Sequence, residues 1–172
     1  MKLLIFGNSG SGKSTLAKAA AERFRLRHLD LDGIVWEPAQ IAVARPPELV
    51  RADLAAFLAA EARWVIEGCY GELIEAAAPA CDRLLFLNPG REACLANNRR
   101  RPWEPHKYAS RAEQDAMLEG LQAWVAGYYE RDDTWSLAAH RRIFDSHRGA
   151  KLEQVLPATD ELLEQLAQRD RE

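Results

Sequence analysis

Nine consecutive residues, Gly7-Asn8-Ser9-Gly10-Ser11-Gly12-Lys13-Ser14-Thr15, carry the strongest chemical signal in the chain. They fit the pattern G-x-x-x-x-G-K-S/T in full, and these residue types suit one task, the enclosure of a polyphosphate. Glycines let the backbone curl so that successive N–H groups point at a single anion. A helix opening at Lys13 adds its unsatisfied N–H groups and the positive end of its dipole. Lys13 has the reach for the β and γ phosphates of a nucleotide, and the Ser14 hydroxyl can ligate Mg²⁺. The competing explanation is a strand–helix turn that binds nothing. Such a turn has no need of a lysine and a hydroxyl at these places.

Carboxylates follow at two further points. Asp30 and Asp32 fall two positions apart on an expected second strand. The end of a strand beside a phosphate loop is where a ligand crevice forms in an open α/β sheet. A carboxylate within hydrogen-bond reach of a hydroxyl there can accept its proton as a phosphoryl group is transferred. The plainer role for one of these acids is to cap the turn at Gly33. Glu67 ends the apolar run Trp64-Val65-Ile66, where a strand-end acid beside a triphosphate helps to seat a metal. Its plainer role is that of a surface turn residue.

The run Arg99-Arg100-Arg101-Pro102 ends a helix and opens Trp103-Glu104-Pro105-His106-Lys107-Tyr108, a connection rich in proline and aromatics. Irregular segments of this kind serve as active-site lids, and residues 99–115 are expected to form one. Arginine brought over a transferring phosphoryl group neutralises charge that develops in the transition state. A closing lid also excludes water, which competes as acceptor. Three consecutive arginines cannot all share one helical face, and Arg99 and Arg101 are the pair expected to act. The alternative is a solvated basic helix end that complements the dipole. Arg45, before Pro46-Pro47, lies in the segment 33–62 expected to bind an acceptor, where it is placed to clamp an anionic group. Trp36 and Tyr70 can wall a base or ring, or simply pack in the core.

The elements that must position these groups follow from hydrophobic spacing. Residues 2–6 form an apolar run ending in glycine, the pattern of a buried strand. Leu16, Ala17, Ala20, Ala21 and Phe24 recur at helical spacing. Further strands are expected at 28–32, 64–66, 84–87 and, weakly, 142–144. Helices are expected from Pro46-Pro47 to Glu61, at 72–78, 91–101 and 111–131, and through the tail 151–172 with an interruption at Pro157. Alternation of strands with helices predicts a three-layer α/β/α domain with a five-stranded parallel sheet. No linker or repeat divides residues 1–172, so one domain is expected.

Composition bounds the rest. The chain has 172 residues and a formal net charge of −3, with 48% apolar and 28% charged residues. That excludes wholesale disorder and argues against a protein built to coat nucleic acid, which needs a basic face. Arginine outnumbers lysine 18 to 5, and its planar fork suits phosphates and carboxylates. Cys69, Cys81 and Cys94 show no Cys-x-x-Cys pair, and His28, His106, His140 and His147 show no metal-ligand spacing. Free buried thiols are expected. The apolar start ends at Gly7, far short of a signal peptide or membrane span, so a reducing cytoplasm is the expected location.

Several stretches carry a wider likeness: GNSGSGKSTLAK, HLDLDGIVW, WVIEGCYGELI, FLNPGREACLANNRRRPWEPHKYAS and WVAGYYERDD. On these the chain resembles a P-loop kinase of the group that includes shikimate kinase, gluconate kinase and the nucleoside monophosphate kinases. More narrowly, it is similar to the small bacterial ATPases described as adenylate-kinase-related or DNA topology modulation proteins. The resemblance implies ATP and Mg²⁺. It implies Asp30 for the metal side, Asp32 for the acceptor, and an arginine–proline pair in the lid. It also implies an arginine on the helix after the lid, here Arg131, that touches the phosphates or the acceptor. In nucleoside monophosphate kinases the strand matching Trp64-Glu67 ends in Asp-Gly and an aromatic. Here Glu67-Gly68-Cys69-Tyr70 has Glu for Asp and one inserted residue.

The expected function is a kinase that moves the γ-phosphoryl group of ATP to a hydroxyl or phosphate of a small molecule such as a nucleoside, a nucleotide or a hydroxy acid. A second expectation is an ATP-binding or ATP-hydrolysing regulator acting on nucleic acid through the lid's arginines, Trp103, Lys107 and Tyr108. A kinase with a macromolecular acceptor is a third. A monomer and a homodimer suit the sequence equally, and no membrane partner is expected.

Overall fold

The computed structural model describes residues 1–38, 40–105, 107–156 and 160–168. Its strands are β1 (Lys2–Gly7), β2 (Arg27–Asp30), β3 (Trp36–Glu37), β4 (Gln40–Ala44), β5 (Trp64–Gly68), β6 (Arg83–Leu87) and β7 (Ala150–Gln154). Its helices are α1 (Lys13–Phe24), α2 (Asp32–Val35), α3 (Pro47–Ala60), α4 (Gly71–Ala77), α5 (Arg91–Arg99), α6 (Arg111–Ala116), α7 (Leu118–Gly127), α8 (Leu137–Ser146) and α9 (Asp160–Gln168).

Five strands form one parallel sheet in the order β2-β5-β1-β6-β7. The near-continuous apolar runs of β1, β5 and β6 suit central strands covered on both faces. Successive side chains alternate between two cores. Leu4, Phe6, Ile66 and Phe86 pack on one face with α3, α4 and α8 residues such as Leu54, Ile74 and Ile143. Leu3, Ile5, Val65 and Leu85 pack on the other with Leu16 and Ala20 of α1 and Leu163 of α9. Helices therefore cover both sides, as a parallel sheet joined by crossovers requires. Among the described residues no helix is long and apolar enough to cross a membrane. Cys69, Cys81 and Cys94 are free, with Cys94 buried and the other two partly so.

The fifth strand is not where hydrophobic spacing placed it. Arg142-Ile143-Phe144 lies inside α8, and the edge strand is β7, at Ala150–Gln154. Ser136 caps α8 by accepting from the Ala139 amide at 3.1 Å, and Ala139, His140 and Ile143 turn one face to the core. β7 reads as polar because it pairs on one side alone, with β6. The start of the tail is accordingly strand rather than helix, and the interruption expected at Pro157 lies outside the described residues.

Three other boundaries matter for the site. Residues 111–131 form two helices joined at Met117, ending at Gly127, so Arg131 lies past the last turn. β2 ends at Asp30, and Asp32 opens the short helix α2. An antiparallel hairpin, β3–β4, follows that helix and had no clear signature in the sequence.

Candidate active site

The loop between β1 and α1 is shaped by glycine. Gly10 has φ 79°, and a Cβ there would lie 2.3 Å from the Cys94 carbonyl oxygen, so α5 approaches the loop too closely for any side chain. α5 also braces the loop by hydrogen bonds. Asn97 Nδ2 donates to the Gly10 carbonyl at 2.8 Å, and Ser9 Oγ donates to Asn98 Oδ1 at 3.1 Å. Asn8 Nδ2 donates to the Val125 carbonyl at 2.9 Å, tying the loop to α7. Lys13 Nζ donates to the Asn8 carbonyl at 2.9 Å. Nothing in the sequence marks Asn97 and Asn98, two asparagines on a helix, as braces for a loop 87 residues away.

The carboxylates gather at the carboxyl ends of β2 and β5. The parallel register sets Asp30 beside Glu67. The strand expected over 28–32 ends at Asp30, so Asp32 is a helix residue rather than a strand one. The chain turns into α2 with the Asp32 amide donating to Asp30 Oδ1 at 2.9 Å, and both carboxylates then face one cation. Lys107 Nζ lies 2.7 Å from Asp32 Oδ2, 3.9 Å from Asp30 Oδ2 and 3.3 Å from Glu104 Oε1. The Tyr70 hydroxyl donates to Asp32 Oδ1 and accepts from Trp36 Nε1 at 2.7 Å.

These neighbours separate the two aspartates electrostatically. Burial pushes the Asp30 carboxyl up to about 7, and the charges of Glu67 and Asp32 push it the same way against Lys107. Burial also raises Asp32, but the charge and hydrogen bond of Lys107 outweigh it and hold that carboxyl below its usual range. Burial lowers the Lys107 ammonium, yet Asp32, Asp30 and Glu104 together keep it above the ordinary lysine value. Burial raises the Tyr70 phenol far above its normal range, so it stays protonated and donates. The Cys69 thiol is pushed up to about 12 by burial and is no nucleophile at neutral pH.

Lys107 is held by the loop between α5 and α6. Its amide and that of Tyr108 donate to the Glu104 carbonyl at 2.9 and 3.1 Å. Gln114 of α6 closes the loop by accepting from the Glu104 amide at 2.9 Å and donating to the Pro102 carbonyl at 3.0 Å. Arg101 Nη2 donates to Ser9 Oγ at 3.2 Å, and its Nη1 pairs with Glu104 Oε2 at 3.3 Å. Arg101 thus reaches the phosphate loop. Arg99 is exposed and lines neither cavity described below, whereas Arg100 lines the one over the phosphate loop.

Two cavities flank this cluster. One, of about 690 Å³, runs over the phosphate loop from Gly10 to Leu16 and is bordered by Asn97, Arg100 and Trp103. The other, of about 450 Å³, lies at the ends of β2 and β5 and includes Asp32, Glu67, Trp36 and Tyr70. Lys13, Ser14, Arg101 and Lys107 line both. Two other sequence candidates stand outside. Arg45 Nη1 is engaged by the Ile34 carbonyl at 2.7 Å and Asp53 Oδ2 at 2.8 Å. Arg131 lies against the Trp124 ring, 4.1 Å from its centroid, and donates to the Trp124 and Trp135 carbonyls at 2.7 and 3.0 Å.

Mg²⁺ fits the donor set. Glu67 is 2% exposed, yet its Oε1 has no hydrogen-bond partner and lies 3.8 Å from His28 Nε2. The crowding of Asp30 with Glu67 is the kind a divalent cation relieves. Among the described residues no group of three or more His, Cys, Asp or Glu is placed to hold a metal alone.

No protein-family model matches the chain, and no curated protein matches it in sequence. Solved structures match over nearly its whole length. An unliganded sugar kinase from Janibacter sp. HTCC2649 is 18% identical, with 98% of this chain and 93% of that one covered, at TM-score 0.55. Shikimate kinase from Acinetobacter baumannii, in complex with shikimate, is 12% identical over 99% of this chain and 93% of that one, at TM-score 0.55. Shikimate kinase from Aquifex aeolicus is 15% identical over 99% and 96%, at TM-score 0.55. The chain has the three-layer fold of the P-loop small-molecule kinases.

Proposed function

We propose that the protein is an ATP- and Mg²⁺-dependent kinase that moves the γ-phosphoryl group of ATP to a hydroxyl of a small molecule. The observation that carries this is the meeting of the two cavities at Lys13, Ser14, Arg101 and Lys107. A nucleotide on the phosphate loop then ends, at its γ phosphate, where the second cavity begins.

In this reading residues 7–15 hold the β and γ phosphates through backbone N–H groups and Lys13. Ser14, with Glu67 and Asp30, would hold Mg²⁺, which supplies charge neutralisation on the phosphates. The acceptor hydroxyl oxygen attacks the γ phosphorus, and the bond from that phosphorus to the β–γ bridging oxygen breaks. ADP leaves with the electron pair, and the hydroxyl proton passes to the Asp32 carboxylate. Lys107 and Tyr70 keep that carboxylate ionised and oriented for the proton. Arg101 stabilises charge on the transferring group, and the lid, 99–115, keeps water from competing. Residues 33–62 contribute the acceptor wall through Trp36, while Arg45 serves the packing of α2 on α3 rather than the acceptor.

The regulatory alternative needs the lid's cations and aromatics free to meet a polyanion. Arg99, Arg100 and Trp103 are exposed, but Lys107 and Tyr108 are buried and Arg101 is turned to Glu104 and Ser9, so the inward face of this segment supports transfer chemistry. Incubation with ATP, Mg²⁺ and a panel of hydroxyl compounds tests the proposal by the ADP released above the acceptor-free rate.

A further inference from the structure

We infer that the cavity at the ends of β2 and β5 takes an uncharged flat ring that carries a hydroxyl, of the nucleoside type, and rejects sugar acids and mononucleotides. The inference rests on the kinase reading for the fate of the hydroxyl, but not for the recognition of the ring.

The first argument is the wall. Trp36, Tyr70, Trp124 and Trp135 all line the cavity. They pack against one another edge to face, with ring centroids 5.1 Å apart for Tyr70 and Trp135, 6.2 Å for Trp36 and Tyr70, and 6.3 Å for Trp124 and Trp135. Aromatic faces and edges held by such mutual contacts form a rigid surface suited to stacking a planar ring. Met117 and Leu121 complete this end with apolar, adaptable side chains.

The second argument is charge. The cations of the lining are Lys13, Arg101 and Lys107, and all three also line the phosphate-loop cavity. Lys107 and Arg101 are already paired with carboxylates. Two arginines near the aromatic end point elsewhere. Arg131 is spent on the Trp124 and Trp135 carbonyls and on Asp133, and Arg45 on the Ile34 carbonyl and Asp53. An acceptor carboxylate or phosphate at the aromatic end would lose its hydration and meet no counter-charge, which is costly. Asp32, at the cavity's inner end, already takes the Lys107 ammonium at 2.7 Å and offers an acceptor anion no counter-charge. A neutral ring meets none of these costs, and its hydroxyl finds Asp32. A cavity of about 450 Å³ has room for a molecule of this class.

The test is calorimetric titration of the full-length protein, saturated with ADP and Mg²⁺ so that the phosphate-loop cavity is filled. The probes are adenosine, guanosine, cytidine and thymidine, the 5′-monophosphate of each, and gluconate. At least one nucleoside is expected to bind about tenfold or more tightly than its own monophosphate and than gluconate. Trp124→Ala should weaken that nucleoside by about tenfold at unchanged ADP affinity. Leu121→Arg, which places a cation in the apolar end, should shift preference towards the monophosphate even if Trp124→Ala fails to fold. The inference is overturned if gluconate or a monophosphate binds as tightly as the best nucleoside, or if no nucleoside binds. ADP release with the same probes separates the two claims. A nucleoside that binds without accelerating release supports the ring inference and contradicts the kinase reading. An acid that accelerates release supports the kinase reading and overturns the inference.

Discussion

The Lys107 ammonium lies 2.7 Å from an Asp32 carboxylate oxygen, so a residue of the loop between α5 and α6 closes directly on the acid that opens α2. Asp30 and Glu104 face the same ammonium at 3.9 and 3.3 Å. Lys107 therefore does three things at once. It keeps Asp32 ionised, it offsets a cluster of carboxylates, and it fixes the loop between α5 and α6 over the junction of the two cavities.

Replacing Lys107 by Met removes that charge while keeping much of the bulk. Asp32 then loses the interaction that holds its pKa down, and turnover should fall by about 10²-fold, the scale of one lost electrostatic contact in a reaction site. Thermal unfolding should also shift downward, because partly buried carboxylates are left uncompensated. Turnover within about twofold of the parent, on the scale expected for a surface substitution, would show that Lys107 is only a strut.

The arginines divide by position. Arg101 reaches Ser9 of the phosphate loop, and Arg99 is exposed on the last turn of α5. Steady-state kinetics should show Arg101→Ala losing about 10²-fold or more in kcat, while Arg99→Ala stays within about threefold. The reverse ranking would mean that the lid adopts another arrangement during transfer.

How much of this was legible in the sequence depends on how local the chemistry is. The phosphate loop was readable throughout, since Gly7 to Thr15 carry both the turn and the ligands within nine residues. The parallel sheet was readable because β1, β5 and β6 are buried on both faces and written as apolar runs. β7 was not, since an edge strand paired on one side carries few apolar residues, and the stronger run Ile143-Phe144 belongs to an amphipathic helix. Asp32 was found, but its place at the start of α2 was not, because the expected strand 28–32 stops at Asp30. Lys107 stands out in the sequence only as a cation of the lid and a candidate nucleic-acid contact, with nothing local to pair it with Asp32. Its importance arises when a proline-broken loop folds back across 75 positions to Asp32, a relation that spacing along the chain does not record.

Gly10 offers a test of the loop's packing. An added methyl group would meet the Cys94 carbonyl at a residue with φ 79°, so Gly10→Ala combines a steric conflict with left-handed strain. It should cost more than about 1 kcal/mol of stability and abolish saturable ATP binding by calorimetry. Retained ATP affinity would show that the loop and α5 separate at little cost.

The buried His140 predicts a pH dependence of folding away from the site. Its Nδ1 is 2.7 Å from the Tyr128 hydroxyl and its Nε2 is 2.9 Å from the Cys69 carbonyl. Burial lowers its pKa from 6.5 to about 4, although the Cys69 carbonyl favours the charged ring. The unfolded chain therefore takes up a proton at His140 before the folded one does. Its contribution to stability is fully present above pH 6.5 and is lost as the pH falls towards about 4. Denaturant unfolding should show a loss on the order of 3 kcal/mol across that window, absent in His140→Gln. Identical pH curves for the two proteins would rule out His140 as the source.

The central claim is phosphoryl transfer to a bound acceptor through Asp32. It is tested most directly by following the label of γ-phosphate-labelled ATP with Mg²⁺ and the nucleoside panel, for the parent protein and Asp32→Asn. The account predicts label in a phosphorylated nucleoside, slowed by about 10²- to 10⁴-fold in Asp32→Asn at similar ATP affinity. Label recovered solely as inorganic phosphate, at equal rates with and without every acceptor tried, would contradict it.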